Sequence, residues 1–170
     1  MRSFAIFNFV LIFACTCLAG AEPEELLAAR KQFAQLPNPT EADRQAHISA
    51  LAKLRMAFAD ENSSDDCFAV DAEISRHPAP ENSETYRKLM VGQWSSPRHE
   101  YVYREDGTWS MLPEEEGITH GRWRIEGNQF FTSVASEPKE TSRYTILLLT
   151  KDDFLLTDGS TVFYMQRIQD

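Results

Sequence analysis

The stretch Gly92-Gln93-Trp94 marks the point where the chain changes from one pattern of secondary structure to another. Before it, apolar residues recur at spacings of three and four, which is typical of helices. After it, apolar and polar residues alternate, and short turns containing glycine separate the alternating runs, which is typical of antiparallel strands. We therefore interpret Gly92 as the start of the first strand of a small β-domain that extends to the C-terminus.

Eight strands are predicted between Trp94 and the C-terminus. The pairs Asp106-Gly107, Gly127-Asn128 and Asp158-Gly159 are turn signals between strands. Residues 144–149 are almost continuously apolar, which predicts a strand covered on both faces. Strands joined by successive hairpins form an up-and-down antiparallel sheet, and closure of that sheet into a barrel removes its exposed edges. The fold class predicted is therefore a small eight-stranded antiparallel barrel preceded by a short helical region.

Residues 22–87 are predicted to form a helical extension before the barrel domain, which we place at residues 88–170. Thr40 is a candidate N-cap, with Asp43 in the first turn of the helix that follows. Helices this short are marginally stable alone in water, so their apolar faces must pack on one another or on the barrel. Because the strand pattern and turns all lie within residues 88–168, we expect that span to fold without the extension. Four helices are predicted in this region. The first spans residues 22–36, the second runs from Thr40 to residue 59, the third spans about residues 65–75, and the fourth begins after residue 83.

The first 21 residues have the composition of a signal peptide. Arg2 supplies a positive charge, residues 4–18 are mostly apolar, and Ala19-Gly20-Ala21 offers the small side chains that a signal peptidase requires. We expect cleavage after Ala21 and export to the periplasm or the extracellular medium. The apolar run is short for a spanning helix, so no transmembrane segment is predicted in the mature chain.

The cysteines leave an alternative to simple cleavage. Cys15 and Cys17 are candidate sites of lipid attachment, but a lipobox has a small residue where this chain has Phe13. After cleavage only Cys67 remains, and a single cysteine cannot form an internal disulfide. Cys67 is then either a small buried apolar residue or a site of intermolecular pairing.

Charge argues against nucleic acid as a partner. The formal net charge is -9 for 170 residues, and removal of the segment that contains Arg2 makes it -10. An acidic chain without a dense cluster of Lys and Arg repels phosphate backbones and anionic membrane surfaces. The apolar fraction of 42% is sufficient for a packed core.

Five short motifs follow one another in the C-terminal half: Gly92-Gln93-Trp94, Asp106-Gly107-Thr108, Gly121-Arg122-Trp123-Arg124-Ile125, Leu149-Thr150-Lys151-Asp152 and Tyr164-Met165-Gln166-Arg167. They occur in the order found in short bacterial lipocalin-like domains, which are exported proteins. Residues 88–168 resemble that family, although we find no match to the second conserved motif of full-length lipocalins. The resemblance implies a barrel in which Trp94, following Gly92, plugs one end and packs under Arg167 of the last strand.

The sequence contains no motif of known catalytic or metal-binding type. It lacks a nucleophile elbow, a catalytic Cys/His pair, a zinc-binding helix and a phosphate-binding loop. No histidine lies at metal-ligand spacing from another histidine or cysteine. The acidic run Glu114-Glu115-Glu116 could hold a cation, but such a run is more often a solvated loop. We therefore predict no enzyme activity, catalytic residue, metal or cofactor. The histidines are His47, His77, His99 and His120.

The aromatic residues of the barrel are the remaining candidates for a binding site. They either line a cavity for a small apolar ligand or form the core of a domain without disulfides. Two functions follow: a ligand-binding module, or an interaction or inhibitor module with a filled barrel that engages a protein. An interior cavity of about 300 Å³ or more would favour the first. The ligand-binding candidates are Tyr101, Tyr103, Trp109, Trp123, Phe131, Tyr144 and Tyr164.

Overall fold

A computed structural model describes residues 22–112, 120–139 and 141–169. The proposed signal peptide, with Cys15 and Cys17, and the acidic run at 114–116 lie outside the described residues. Four helices are followed by eight strands. The helices are α1 Glu24–Ala34, α2 Glu41–Asp60, α3 Ser64–Ile74 and α4 Ser83–Met90. The strands are β1 Gly92–Ser95, β2 Glu100–Tyr103, β3 Thr108–Leu112, β4 His120–Glu126, β5 Gln129–Val134, β6 Ser142–Leu149, β7 Asp153–Thr157 and β8 Val162–Arg167.

The eight strands form a closed antiparallel barrel, which confirms the predicted fold class. Each strand pairs with the next along the chain, and the barrel closes where β1 pairs with β8, with Trp94 opposite Arg167. Because the strands run up and down, the barrel has two distinct ends. The base carries the α4–β1 junction and the turns that follow β2, β4 and β6. The mouth carries the C-terminal ends of β1, β3, β5 and β7.

Aromatic side chains fill the barrel interior. Alternation along β4 buries every second residue, as a barrel wall requires. Trp94, Phe130 and Phe154 are among the largest fully buried side chains. The Phe154 ring lies 5.7 Å from that of Trp94 and 5.5 Å from that of Phe130, centroid to centroid, both with edge-to-face geometry. These contacts connect opposite walls, so the described interior is packed with the protein's own side chains.

A second core lies outside the barrel, between strands β6 to β8 and helices α1 to α3. The register of β6 shifts between Ile146 and Leu148, so that Leu147 and Leu148 both join the helical core while Ile146 and Leu149 join the barrel core. This confirms the prediction that β6 is covered on both faces. The helical core contains Leu26, Ile48, Leu51, Ala52, Phe58, Val70 and Ile74, together with Leu147, Leu148, Leu155 and Val162 of the barrel.

Local sequence explains where the helices begin. The Thr40 hydroxyl accepts a hydrogen bond from the Asp43 amide, and the Asp43 carboxylate accepts one from the Thr40 amide, so a capping box starts α2 as predicted. Asn82 caps α4 through a hydrogen bond from the Thr85 amide to its side-chain oxygen. None of the described helices combines the length and the apolar character needed to cross a membrane.

Hydrogen bonds cross the boundary predicted between residues 87 and 88. The Ala79 amide donates to the Ile146 carbonyl at 2.9 Å, and the Asn128 side chain donates to the Ala79 carbonyl at 2.8 Å. Arg44 of α2 donates to the Leu147 carbonyl at 2.7 Å. The segment before α4 is therefore tied to the β4–β5 turn and to β6, and the independent folding of residues 88–168 stays a prediction.

Candidate functional site

The base of the barrel is sealed by a cation on an aromatic ring. The guanidinium carbon of Arg167 lies 4.3 Å from the centroid of the Trp94 ring, and Trp94 is completely buried. The indole N–H of Trp94 donates to the Met90 carbonyl at 2.8 Å, which ties the ring to the end of α4. The Trp94 ring thus packs against the barrel core, and the Arg167 guanidinium covers the ring at the end of the barrel.

Arg167 also joins three chain segments at the base. Its guanidinium donates to the carbonyls of Val91 at 2.8 Å, Lys151 at 2.5 Å and Leu89. A Cβ on Gly92 would lie 2.2 Å from Arg167 Nη1, and the φ of Gly92 is +133°. Only glycine fits this position without displacing the arginine. The contact between Arg167 and Trp94 therefore closes the interior of the barrel at its base.

The mouth of the barrel has a different character, because three of its aromatic rings are incompletely covered. Phe163 is 39% exposed, and Tyr101 and Tyr144 are half-buried. The Tyr144 and Phe163 rings meet edge to face with their centroids 5.6 Å apart. Burial raises the pKa of Tyr101, and the nearby Tyr144 raises it further, so the Tyr101 hydroxyl stays protonated at physiological pH. We call Tyr101, Tyr144 and Phe163 the mouth aromatics.

Three of the candidate ligand-binding residues belong to the packed interior. Tyr103, Trp109 and Trp123 are buried, and burial is the main cause of the raised pKa of Tyr103. The indole N–H of Trp109 donates to the Ser133 carbonyl at 3.2 Å, and that of Trp123 donates to the Thr108 carbonyl at 3.0 Å. The barrel backbone thus satisfies both indole N–H groups, and all three buried side chains belong to the barrel core.

Phe131 and Tyr164 do not line the interior with the other candidates. Strand alternation turns Phe131 outward, where the Arg124 guanidinium carbon lies 4.1 Å from its ring centroid. Tyr164 also faces outward and packs beside the helical core, and its hydroxyl donates to the Asp153 carboxylate at 2.8 Å. Of the seven candidate aromatics, five therefore face the barrel interior and two face outward.

Two surface clefts lie outside the barrel interior. One, of about 560 Å³, is beside the base turn at Asp106 and Gly107, between Arg87 of α4 and Arg124 of β4. The other, of about 330 Å³, lies along the outer face of β4 and β5 and includes Phe131. Both open at the surface among charged side chains, so neither is the apolar interior cavity that a lipocalin-type ligand would need.

A cluster of ionisable side chains lies where the helices meet. One potential ligand atom each from His47 of α2, from Glu73 of α3 and from His77 just after α3 all lie within 4.8 Å of one another. His77 Nε2 is 3.2 Å from Glu73 Oε1. His47 is 7% exposed and Glu73 is 4% exposed. Spacings between histidines and cysteines alone do not reveal this set, because one of its members is a glutamate. The spacing of four between Glu73 and His77 is a local signal of it, since residues four apart in a helix lie on the same face.

The aromatic ring of Phe33 covers the cluster. It stacks on His47 with ring centroids 4.3 Å apart and planes 10° apart, and it meets His77 edge to face at 5.3 Å. Burial lowers the pKa of His47, the neighbouring His77 lowers it further, and Glu73 opposes both. His47 Nε2 is buried and has no hydrogen-bond partner among the described residues. A buried imidazole nitrogen without a partner is unfavourable, so this atom calls for a ligand.

Two arginines hold Glu73 in place. Arg30 of α1 and Arg76 each lie 2.9 Å from Glu73 Oε2, which leaves Oε1 directed at His77. Burial alone would raise the pKa of the Glu73 carboxyl, but hydrogen bonds from His77 and Arg30 and the nearby positive charges outweigh it and lower that pKa. Glu73 is therefore a carboxylate at neutral pH, with one oxygen fixed and the other facing the imidazoles.

Comparisons of the chain with protein-family models, with curated proteins and with solved structures find no match.

Proposed function

We propose that this chain is an exported, non-enzymatic binding protein that engages a protein partner through the mouth of its barrel. One observation carries the proposal: Trp94, Phe130 and Phe154 fill the interior, whereas the mouth aromatics are left partly uncovered. Rings packed across the interior formed by the described residues argue against a ligand held inside the barrel. Exposed rings at the rim suit an apolar side chain inserted from a partner, because aromatic residues are enriched at the centres of protein interfaces.

Export is the part of the proposal that rests on sequence. Arg2, the apolar run and Ala19-Gly20-Ala21 support cleavage after Ala21. N-terminal sequencing of protein from its own host tests this. A first residue of Glu22 agrees with the proposal, whereas a lipidated Cys15 or Cys17, or an intact Met1, contradicts it.

The resemblance to lipocalin-like domains supports the shape of the protein but not a ligand, since one fold carries many functions. A small apolar molecule at the mouth is the second candidate, because the same rings could stack on it. The observation that favours it is the contact between Tyr144 and Phe163, which forms an apolar corner open on one side.

Native mass spectrometry of the protein from its own host distinguishes the two. We expect a wild-type complex whose added mass is that of a protein, and we expect Phe163→Ser to remove it. Phe68→Ser is the matched control, because Phe68 is 67% exposed on α3, a helix that packs outside the barrel. An added mass of a few hundred daltons would favour the small ligand. A complex that survives Phe163→Ser but not Phe68→Ser would overturn the use of the mouth.

A further inference from the structure

We propose that His47, Glu73 and His77 form a binding site for a first-row transition-metal dication, with Zn²⁺ as the best fit. Two imidazoles and one carboxylate are ligands that Zn²⁺ takes in proteins, and three such ligands leave a fourth position for water. This site is independent of the barrel mouth.

The geometry needs only a small adjustment to hold a metal. Donor atoms around a tetrahedral Zn²⁺ lie roughly 3.3 Å apart, because the bonds are about 2.0–2.1 Å long. His77 Nε2 and Glu73 Oε1 already lie 3.2 Å apart, and all three donors lie within 4.8 Å of one another. The donors that lie farthest apart would therefore have to approach by at most about 1.5 Å to reach tetrahedral spacing.

The unpartnered nitrogen of His47 is the independent observation that points to a ligand. If the stack on Phe33 were the only purpose of this position, a phenylalanine would serve better, because it has no polar atom to bury. A metal would give His47 Nε2 its missing partner and would replace the hydrogen bond between His77 and Glu73.

The surroundings resemble the outer shell of a metal site. Arg30 and Arg76 fix Glu73 through Oε2, as partners of a ligating carboxylate commonly do. Their positive charges are offset by Glu73 itself and by Glu22, which lies 2.9 Å from Arg30. The His77 side chain is 21% exposed, which gives a metal a route from solvent.

The site would tie the helices together. His47 belongs to α2, whereas Glu73 and His77 lie at the end of α3, and Phe33 of α1 covers them. A metal bound there would fasten these helices over β6 to β8 and so stabilise the outer core.

Titration of the metal-free, untagged protein with Co²⁺ tests the proposal. We expect one equivalent to give the visible absorption bands of four-coordinate Co²⁺, and Zn²⁺ to abolish them. The key variant is His47→Phe, which keeps the stack on Phe33 and removes one ligand. We expect it to weaken Zn²⁺ affinity at least about tenfold, as loss of a ligand or its support does. The control is His99→Phe, a histidine of the barrel whose ring meets Tyr101, and it should bind like wild type.

Thermal unfolding provides a second readout. At a Zn²⁺ concentration of about one hundred times the wild-type Kd, the folded-to-unfolded ratio should rise about a hundredfold in wild type and in His99→Phe. At the same concentration the rise in His47→Phe should be much smaller. If His47→Phe fails to fold, His77→Gln gives the same test at a more exposed position. Equal Zn²⁺ affinity of wild type and the ligand variants, or Co²⁺ bands that are absent in wild type, would overturn the site.

Discussion

Arg167 and Trp94 face each other across the strand pair that closes the barrel, and the guanidinium carbon of Arg167 lies 4.3 Å from the Trp94 ring centroid. The two residues are far apart in the chain, so their contact is formed only when β8 meets β1. The same guanidinium donates to the carbonyls of Leu89, Val91 and Lys151. Barrel closure and the sealing of the base are therefore one interaction.

The first prediction concerns this pair. Trp94→Ala should cost about 3–5 kcal/mol, as for a buried aromatic side chain. Arg167→Lys keeps the charge but loses the flat, forked geometry, so it should cost more than the roughly 0.5 kcal/mol of an ordinary surface change. Urea unfolding of both variants and of the double variant measures the coupling. We expect it to exceed about 0.5 kcal/mol. Additive effects would show that Arg167 does not act through Trp94.

The second prediction concerns Gly121, which faces inward on β4. A Cβ there would lie 1.8 Å from the Ser133 carbonyl oxygen and 2.8 Å from Trp109 Nε1. Gly121→Ala must therefore push β5 away and break the hydrogen bond from Trp109 to Ser133. We expect a loss of about 3 kcal/mol, the upper end of ordinary overpacking. Arg122→Ala, at the exposed neighbouring position, should change stability by less than about 0.5 kcal/mol. Similar losses in the two variants would contradict the steric argument.

The third prediction concerns the boundary of the barrel domain. Residues 78–170 and residues 84–170 should each give a cooperative melt, because all of the barrel core except Ala79 lies within both. The longer fragment should melt at the higher temperature, since it keeps Ala79, which bonds to the β4–β5 turn and to β6, and Asn82, which caps α4. Circular dichroism on heating checks the order. If both fragments are unstructured, α1 to α3 are required for the barrel to fold.

Both fragments should also associate, because they expose the apolar side chains of β6 and β7 that the helices cover. Leu155→Thr should reduce this association, measured by light scattering. If the fragments stay monomeric without the substitution, the helices are not needed to keep the apolar side chains of β6 and β7 from associating.

The fourth prediction concerns pH. Burial and His77 hold the pKa of His47 below its usual value near 6.5. The unfolded chain then binds the proton more readily than the folded chain. The contribution of neutral His47 to the free energy of unfolding is therefore fully present above about pH 6.5. It decreases as the pH falls from there towards the lowered pKa of His47 in the folded state. The lowered pKa of Glu73 acts only in more acidic solution, near or below its unfolded value.

Melting temperatures at pH 8 and pH 5.5, measured in a chelator, test this prediction. We expect His47→Phe to lose less stability between these two values than wild type, because it has no imidazole to charge at this position. Equal losses in the two proteins would show that the burial of His47 is not linked to folding.

The fifth prediction separates the mouth from the interior. Phe163→Ser removes a ring that is 39% exposed, so it should cost about 1 kcal/mol or less. Phe154→Ala removes a completely buried ring and should cost about 3–5 kcal/mol. Denaturant unfolding compares them. If Phe163→Ser destabilises as strongly as Phe154→Ala, the mouth is part of the core, and loss of binding in this variant would report unfolding.

Local patterns in the sequence were sufficient for the barrel. Alternation along the strands and the turn signals at Asp106-Gly107 and Gly127-Asn128 depend on residues close in the chain, so eight strands in a meander could be predicted. The capping box at Thr40 and Asp43 is local in the same way. Alternation also separates Phe130 from Phe131, and strict use of it would have placed Phe131 outside.

Only the tertiary structure decided which surfaces meet. The shift in register at Ile146, which turns Leu147 and Leu148 together towards the helices, depends on pairing with β7. The approach of His47 to Glu73 and His77 depends on how α2 packs against α3, and 26 positions separate His47 from Glu73 in the numbered sequence. The periodicity of each helix does not predict this contact. The way in which two helices pack is set by the side chains along their whole interface, and not by the residues next to His47 or Glu73 in the chain.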